Sequence, residues 1–229
     1  AGRDPLSTLV DWERVEAEYF SESITVVDGF FSPEALSELW DYARESTSFR
    51  TVRRGYLGAF PADGNVHPLL VSLALALERR MPRALQGHPL GLWWLFKYTK
   101  AGSSGIDIHA DAAAVNVNIW LTPDEARRSG GGLDVYMQLP PDEAAVSEYN
   151  RDFATEADQA HMRDALLAAG GVRHVDYKQN RAVIFVSDLF HASEPFDFAD
   201  SSDQPRINLT LLFGDRAAAR RPPPPAAPP

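Results

Sequence analysis

Ala182-Val-Ile-Phe-Val186, followed by Ser187-Asp-Leu-Phe-His191, is the stretch that decides the fold. Five consecutive apolar residues, most of them β-branched or aromatic, are typical of a short strand that is buried on both faces. A histidine that stands where such a strand ends is well situated to point into a cavity. The stretch therefore predicts a β-rich domain with a polar site beside His191.

Further strand-like runs lie on both sides of this stretch, and Gly, Ser, Pro and Asp residues separate them as in an all-β sandwich or barrel. The last run, at 206–213, alternates in polarity. One of its faces would carry Arg206, Asn208 and Thr210, and the other face apolar side chains. The predicted strands cover residues 24–27, 91–99, 114–121, 132–138, 181–187 and 206–213.

Helical patterns accompany the predicted strands. Apolar residues at three- and four-residue spacing predict an amphipathic helix over residues 7–20. Ser32 and Pro33 supply an N-cap and a proline at the first helical position, which predicts a helix that ends near residue 45. Further helices are predicted over 68–80 and near 160–168, the latter inside a polar insert at 139–180. Because long inserts tend to be functional, this insert and the segment 51–67 are candidate substrate-contacting loops.

Length and composition predict one soluble domain. The chain has 229 residues and a net charge of −10, and it contains no cysteine. An acidic surface without a dense Lys/Arg stripe repels phosphate backbones, so we expect no nucleic-acid partner. The apolar runs are too short to span a membrane, and the cytoplasm is slightly favoured as the compartment. Without thiolates, histidine and carboxylate are the expected metal ligands.

His109 and Asp111 form the second candidate site element. Two residues apart on an extended segment, their side chains would project from the same face and could share one metal ion. Alone, a His-x-Asp pattern is more often a surface pair. With His191 it would complete the two-histidine, one-carboxylate facial triad of non-haem Fe(II) oxygenases. Arg206 suits an anion such as a carboxylate, although a solvated arginine on an edge strand explains that strand equally well.

The order of these parts resembles the 2-oxoglutarate/Fe(II) oxygenase superfamily, and specifically its prolyl-4-hydroxylase-like branch. The resemblance covers roughly residues 91–216 and rests on the succession listed here: Tyr98, His109-x-Asp111, Ser129-Gly-Gly-Gly-Leu133, His191 and Arg206-x-x-x-Thr210. It implies a double-stranded β-helix core, jelly-roll and cupin-like, packed on N-terminal helices. The expected division is an N-terminal helix at 1–22, the oxygenase domain at 23–216 and a disordered Pro-rich tail at 217–229.

The resemblance also implies a site. Iron would be bound by His109, Asp111 and His191, and Arg206 would pair with the distal carboxylate of 2-oxoglutarate. Thr210 and Tyr98 would form hydrogen bonds to this cosubstrate, and Asn118 and Trp120 would share its face of the strand, with Trp120 where relatives often carry tyrosine. Because halogenating relatives replace the carboxylate ligand with a small residue, Asp111 favours hydroxylation.

The implied activity is hydroxylation of a peptidyl substrate, prolyl among the candidates, or of a small molecule. Fe(II), 2-oxoglutarate and O2 would be consumed or bound, succinate and CO2 released, and ascorbate could serve as an accessory reductant. Two alternatives stay open at this stage. One is a non-catalytic or 2-oxoglutarate-independent cupin-type metal-binding protein. The other is a nucleic-acid oxidative demethylase, against which the acidic charge counts.

Overall fold

The structure is a computed structural model that describes residues 4–53, 55–98, 102–103, 105–139, 150, 155–199 and 204–215. The predicted tail at 217–229 lies outside these residues, as does the last residue of the predicted strand 91–99. The described helices are α1 (Trp12–Glu22), α2 (Pro33–Glu45), α3 (Pro68–Arg80) and α4 (Glu156–Ala169), with short 3-10 turns at Pro61–Asp63 and Asp124–Ala126. Helices α2 and α3 keep the predicted bounds, and α4 begins four residues before the predicted 160–168.

The strands, numbered in chain order, are β1 (Ile24–Asp28), β2 (Thr51–Arg53), β3 (Tyr56–Ala59), β4 (Leu90–Tyr98), β5 (Gly102–Ser103), β6 (Ile106–His109), β7 (Val115–Trp120), β8 (Arg127–Gly130), β9 (Leu133–Tyr136), β10 (Val172–Val175), β11 (Arg181–Val186), β12 (His191–Ser193), β13 (Phe196–Phe198) and β14 (Ile207–Phe213). Each predicted strand is present. The short strands β2, β3, β5, β6, β8, β10, β12 and β13 were not predicted.

The strands form three sheets. A seven-stranded sheet has the order β1-β11-β7-β14-β4-β3-β2, a four-stranded sheet the order β10-β9-β12-β6, and a three-stranded sheet the order β5-β13-β8. The strand predicted at 181–187 is β11, which pairs with β1 on one side and β7 on the other. It is buried on both faces, as its apolar run predicts.

Two apolar cores lie on opposite faces of the seven-stranded sheet. One core joins helices α1, α2 and α3 to the odd-numbered side chains of β7 and β14, such as Val117 and Leu209. The other fills the space toward the two smaller sheets, where Val183 and Phe185 of β11 meet Val135 and Phe198. Since side chains alternate along a strand, the even-numbered residues of β7 and β14 face this second interior. The candidate site therefore lies between the sheets.

Helix α1 begins later than predicted. Residues 7–10 are not helical, and Leu9, which the periodicity placed on the buried face, is 94% exposed. The side chain of Asp11 accepts a hydrogen bond from the backbone N–H of Arg14 and so caps the helix at this point. The helix then runs to Glu22, and Ser23 ends it in a left-handed conformation. The predicted range of 7–20 is therefore wrong at its start, because the cap outweighs the spacing of the apolar residues.

Asn180 fastens the segment before α2 to the start of β11. Its side-chain amide bonds Phe31 twice, accepting from the backbone N–H at 2.8 Å and donating to the carbonyl at 3.0 Å, and its own φ is +60°. We expect Asn180→Ala to lower the free energy of unfolding by about 2–4 kcal/mol, because both bonds are lost and alanine is strained at positive φ. Urea unfolding measures this loss, and Asn180→Gly, which relieves only the strain, should lose less.

Candidate metal centre

The three predicted metal ligands meet at one end of the four-stranded sheet. His109 ends β6 and His191 begins β12, and the two residues stand directly opposite each other in the antiparallel register. Their ring centroids are 4.3 Å apart. One ligand atom from each of His109, Asp111 and His191 lies within 4.8 Å of the other two. The structure thus brings the triad within reach of a single ion.

Both imidazoles are held with the same nitrogen free for a metal. Nδ1 of His109 is 2.7 Å from the carbonyl oxygen of Asp107, and Nδ1 of His191 is 3.0 Å from that of Leu189. A carbonyl oxygen can only accept, so Nδ1 of each neutral ring carries the proton and Nε2 keeps its lone pair. This is the arrangement in which a backbone partner fixes the tautomer and direction of a metal-binding histidine.

The carboxylate of Asp111 is oriented from two sides. The backbone N–H of Asp111 donates to the carbonyl of Ser187, and the hydroxyl of Ser187 donates to the backbone carbonyl of Asp111. Nδ2 of Asn116 donates to Oδ2 at 2.9 Å. Oδ2 also lies 3.6 Å from Nε2 of His191. The turn after β11 and the interior face of β7 therefore set where this carboxylate points.

Burial and proximity shift the ionisation of this site toward the metal-binding form. Burial is the main cause that lowers the pKa of His109, and the neighbouring His191 adds to it. Burial acts to raise the pKa of Asp111, but His191, the charge of His109 and the amide of Asn116 outweigh it, so that the pKa lies below its usual value. Neutral imidazole and ionised carboxylate are the forms that ligate a divalent metal.

Two carboxamides from the insert close the free edge of β6, which is the outer strand of its sheet. Gln159 of α4 binds Ile108, accepting from its N–H at 2.8 Å and donating to its carbonyl at 3.4 Å. Asn150 binds Ala110 in the same way, at 3.1 and 2.9 Å. The two side-chain amides form the hydrogen bonds that a neighbouring strand would form. They bind the backbone of the residues on either side of His109. Sequence analysis missed both, since nothing near them in the sequence indicates where they bind.

We expect Gln159→Leu to weaken Mn(II) binding by about tenfold, because supporting groups around metal ligands typically contribute ten- to a hundredfold. The change leaves the buried N–H of Ile108 without its partner and frees β6 to shift. Calorimetric titration with Mn(II) measures the affinity, and faster hydrogen exchange of the Ile108 amide reports the loosened strand without any metal. In Gln179→Leu, which removes an amide bonded to the distant Leu121 carbonyl, Mn(II) affinity should stay unchanged.

Arg206 is buried with little to neutralise it. It is 3% exposed, and its Nη2 donates to the carbonyl of Gly131 at 2.9 Å. Nε and Nη1 are buried and find no hydrogen-bond partner among the described residues. The guanidinium lies over the rings of Tyr98 and Phe196, 4.6 and 4.4 Å from their centroids. A buried cation that keeps donors free in an aromatic cage is prepared for an anion from outside the chain.

The glycine run before β9 lets the smaller sheets approach this cage. Gly130 and Gly131 both have positive φ, at +61° and +88°. A Cβ on Gly130 would lie 1.9 Å from the carbonyl oxygen of Pro195, and one on Gly131 would lie 3.0 Å from the ring of Phe198. Only glycine fits at these two positions. The motif that the sequence showed at 129–133 therefore shapes the wall of the Arg206 site.

The other predicted contacts share the interior face with Arg206. Asn118 stands opposite Thr210 in the register, and its Nδ2 lies 3.4 Å from the Thr210 hydroxyl. Trp120 stands opposite Asn208 and packs against Tyr177. In the part of the chain that is described, the Tyr98 hydroxyl and Oδ1 of Asn116 and of Asn208 are buried without partners. Asn116 adjoins Asp111 and Tyr98 adjoins Arg206, so these unpaired atoms are available to a polar molecule bound near either group.

The residues present fit the cofactors that the resemblance implies. Two imidazoles and one carboxylate are the donor set that non-haem Fe(II) uses while leaving positions open. The unpaired guanidinium of Arg206 fits a carboxylate, since its planar fork can donate two parallel hydrogen bonds. The interior between these groups supplies further unpaired polar atoms. A dicarboxylate that reaches from the metal to Arg206 would satisfy them together.

Solved structures with this fold include a prolyl hydroxylase from Trichoplax adhaerens in complex with a hypoxia-inducible factor peptide (16% identity, TM-score 0.57, covering 91% of this chain and 90% of that one). A 2OG-Fe(II) oxygenase family oxidoreductase from Burkholderia pseudomallei matches at 11% identity and TM-score 0.57, over 90% and 91% of the two chains. The α-ketoglutarate-dependent epimerase SnoN of nogalamycin biosynthesis matches at 16% and 0.58, over 89% and 83%. No family model and no curated protein sequence matches this chain.

At these identities the likeness shows the fold. The neighbours are 2-oxoglutarate/Fe(II) oxygenases with a double-stranded β-helix core, so the predicted fold class, mainly β with flanking helices, is confirmed. The likeness extends over about nine-tenths of the chain. None of the helices in the described residues has the length and apolar character that crossing a membrane requires.

Proposed function

We propose that this chain is an Fe(II)- and 2-oxoglutarate-dependent dioxygenase that hydroxylates a peptidyl or small-molecule substrate. One observation carries the proposal. A His-Asp-His triad and a buried arginine with two unpaired donor nitrogens lie in the interior of the same β-sandwich. The triad alone would suit many metalloproteins. A buried arginine destabilises a protein unless an anion pairs with it. A metal-binding protein that does not bind 2-oxoglutarate would therefore gain nothing from Arg206.

The roles of the residues follow from their places. His109, Asp111 and His191 would hold the iron, and Arg206 would bind the distal carboxylate of 2-oxoglutarate. Tyr98, Thr210 and Asn118 would donate or accept hydrogen bonds along the cosubstrate, and Trp120 would form a wall. When bound, iron and 2-oxoglutarate together supply the oxidising chemistry, in which O2 is consumed and succinate and CO2 are released.

The protein contributes orientation and an apolar wall. Asn116 donates to the Asp111 carboxylate, Ser187 bonds the backbone of Asp111, and backbone carbonyls hold both imidazoles. Apolar side chains of the second core, including Val135, Val183 and Phe185, pack on one side of the site. His191 is buried there, whereas His109 and Asp111 stay partly exposed. The buried side restricts water, which strengthens electrostatic contacts within it.

The substrate is a peptidyl group, with a prolyl residue among the candidates, or a small molecule. A prolyl hydroxylase and an epimerase of a biosynthetic route are both among the structural neighbours, so the shared fold does not decide between these classes. The net charge of −10 argues against a nucleic-acid substrate. We therefore expect a demethylase assay on nucleic acids to be negative.

The decisive test of this function is 2-oxoglutarate turnover. The purified protein is incubated with Fe(II), ascorbate and 2-oxoglutarate in air, with and without prolyl peptides and candidate small molecules, and succinate is quantified. The proposal predicts succinate formation that requires both Fe(II) and O2, slow without substrate and faster with the right one. Metal binding without succinate under any of these conditions would instead indicate a cupin-type metal-binding protein.

A further inference from the structure

A cavity of about 330 Å³ opens beside Asp111, at the opposite end of β14 from Arg206. Leu92 and Trp94 of β4, Leu212 of β14 and Ala113 form its walls together with Asp111. The volume is at the lower end of the range of about 300–1,000 Å³ that ligand pockets span. It therefore suits a side chain or a small ring.

The strand register explains why this cavity adjoins the metal ligands. Asn116, Leu212 and Leu92 stand opposite one another on β7, β14 and β4, and residues paired in this way share a face of the sheet. Asn116 is the residue that donates to Asp111. The register is irregular just beyond Leu92, where Phe213 pairs with Leu90. Such bulges often occur beside active sites, and this one leaves Gly91 at the rim of the cavity.

The walls of the cavity are apolar. Asp111 is the one charged side chain among the described residues that line it. Trp94 and Leu212 are nearly buried, whereas Leu92 is 38% exposed at the mouth. Behind Trp94 the aromatic surface continues through Phe96, whose ring lies 5.7 Å away. An anionic group in this cavity would find no counter-ion among the described wall residues and would lie close to the Asp111 carboxylate. A cationic group would find only Asp111, and it would compete there with the metal ion.

We infer that this cavity receives the part of the substrate that is oxidised, and that this part is a neutral, hydrophobic alkyl or saturated-ring group. The inference rests on the proposed function for the identity of the occupant as substrate. The chemistry of the walls selects it, because apolar contact is the interaction that Leu92, Trp94 and Leu212 offer. The same walls disfavour an acidic side chain, and a basic one is disfavoured when the metal ion occupies the Asp111 carboxylate.

A panel of small probes tests the selectivity without turnover. N-acetyl amino acid amides of leucine, valine and proline are compared with those of aspartate and serine by saturation-transfer NMR on the metal-free protein. The hydrophobic probes should bind, and the aspartate and serine probes should not. Tighter binding of the aspartate or serine probe than of the leucine probe would overturn the inference.

A charge placed at the mouth tests the location. Leu92→Lys should weaken binding of the leucine probe by at least about tenfold, because a charged side chain replaces apolar contact at the mouth. Leu75→Lys is the matched control, since Leu75 is 51% exposed on α3, away from this cavity. The Leu75→Lys variant should bind the leucine probe with the same affinity as the unaltered protein. Equal weakening in both variants, or none in Leu92→Lys, would place the probe elsewhere.

Mn(II) then links the cavity to the triad. Relaxation of the bound leucine probe should quicken when Mn(II) is added to the unaltered protein and stay unchanged in His191→Ala. If the probe binds but Mn(II) leaves its relaxation unchanged in the unaltered protein, the cavity does not adjoin the metal and the inference fails. Absence of succinate formation alongside normal probe binding and relaxation would count against the proposed function and leave the cavity's selectivity intact.

Discussion

Replacing His191 by alanine should abolish metal-dependent turnover and weaken Mn(II) binding by more than about a hundredfold, which is the upper end of what supporting residues around a metal contribute. His191 is itself a predicted ligand. Its ring contacts those of His109 and Phe185, so the space left by alanine would be lined by these two rings. The measurement is calorimetric titration with Mn(II), followed by succinate formation with Fe(II). Unchanged turnover in this variant would refute the triad.

The fold should survive this change. His191 contributes one hydrogen bond, to the carbonyl of Leu189, and the sheet register around it is formed by the backbone. Circular dichroism should therefore be unchanged, and thermal unfolding should move by only a few degrees. His161→Ala is the matched control, because His161 is exposed on α4. That variant should bind Mn(II) like the unaltered protein.

Arg206→Ala should raise the dissociation constant for 2-oxoglutarate by about ten- to 150-fold. This is the range that corresponds to the loss of a charged hydrogen-bonding partner, about 1.5–3 kcal/mol. Mn(II) affinity without the cosubstrate should be unaffected, since Arg206 contacts none of the three ligands in the described structure. Calorimetric titration of the Mn(II)-loaded protein with 2-oxoglutarate measures the effect. Arg206→Lys keeps the charge without the planar fork. Its dissociation constant for 2-oxoglutarate should lie between those of the unaltered protein and Arg206→Ala.

A second readout separates this role from a structural one. In the absence of 2-oxoglutarate, Arg206 is a buried cation whose Nε and Nη1 lack partners among the described residues. Removing it should leave the free energy of unfolding unchanged or raise it, because an uncompensated buried charge is destabilising. Adding 2-oxoglutarate should stabilise the Mn(II)-loaded unaltered protein and not the variant. A large loss of stability in the variant without cosubstrate would identify Arg206 as a structural residue.

The strongest sequence patterns predicted the fold well. The apolar run at 182–186 and the alternation at 206–213 identified β11 and β14, the two strands that adjoin β7 in the large sheet. The proline at the start of α2 and of α3 marked where each begins. In each case the signal is local, because it depends on residues within one element. Shorter strands such as β2 and β12 escaped prediction because three residues do not establish a period.

The candidate site was predictable in its ligands and not in its supports. His109, Asp111 and His191 were grouped by the order of motifs, and the structure brings them together. Asn118 and Asn208 stood on predicted faces, but their contacts depend on which strands become neighbours. Gln159 binds a residue 51 positions earlier in the chain, and no sequence pattern records such a distance. Long-range pairing decides these contacts, and a single sequence does not reveal it.

His109, Asp111 and His191 would hold one ion, and a keto acid anchored by Arg206 would be bound to that ion. Anaerobic visible spectroscopy tests this arrangement most directly. Fe(II) is added to the protein, then 2-oxoglutarate, and the weak charge-transfer absorption of a chelated keto acid is followed. The account predicts a band that saturates with 2-oxoglutarate, requires higher concentrations in Arg206→Ala and is absent from His191→Ala. Bound iron with no band at any 2-oxoglutarate concentration would contradict it.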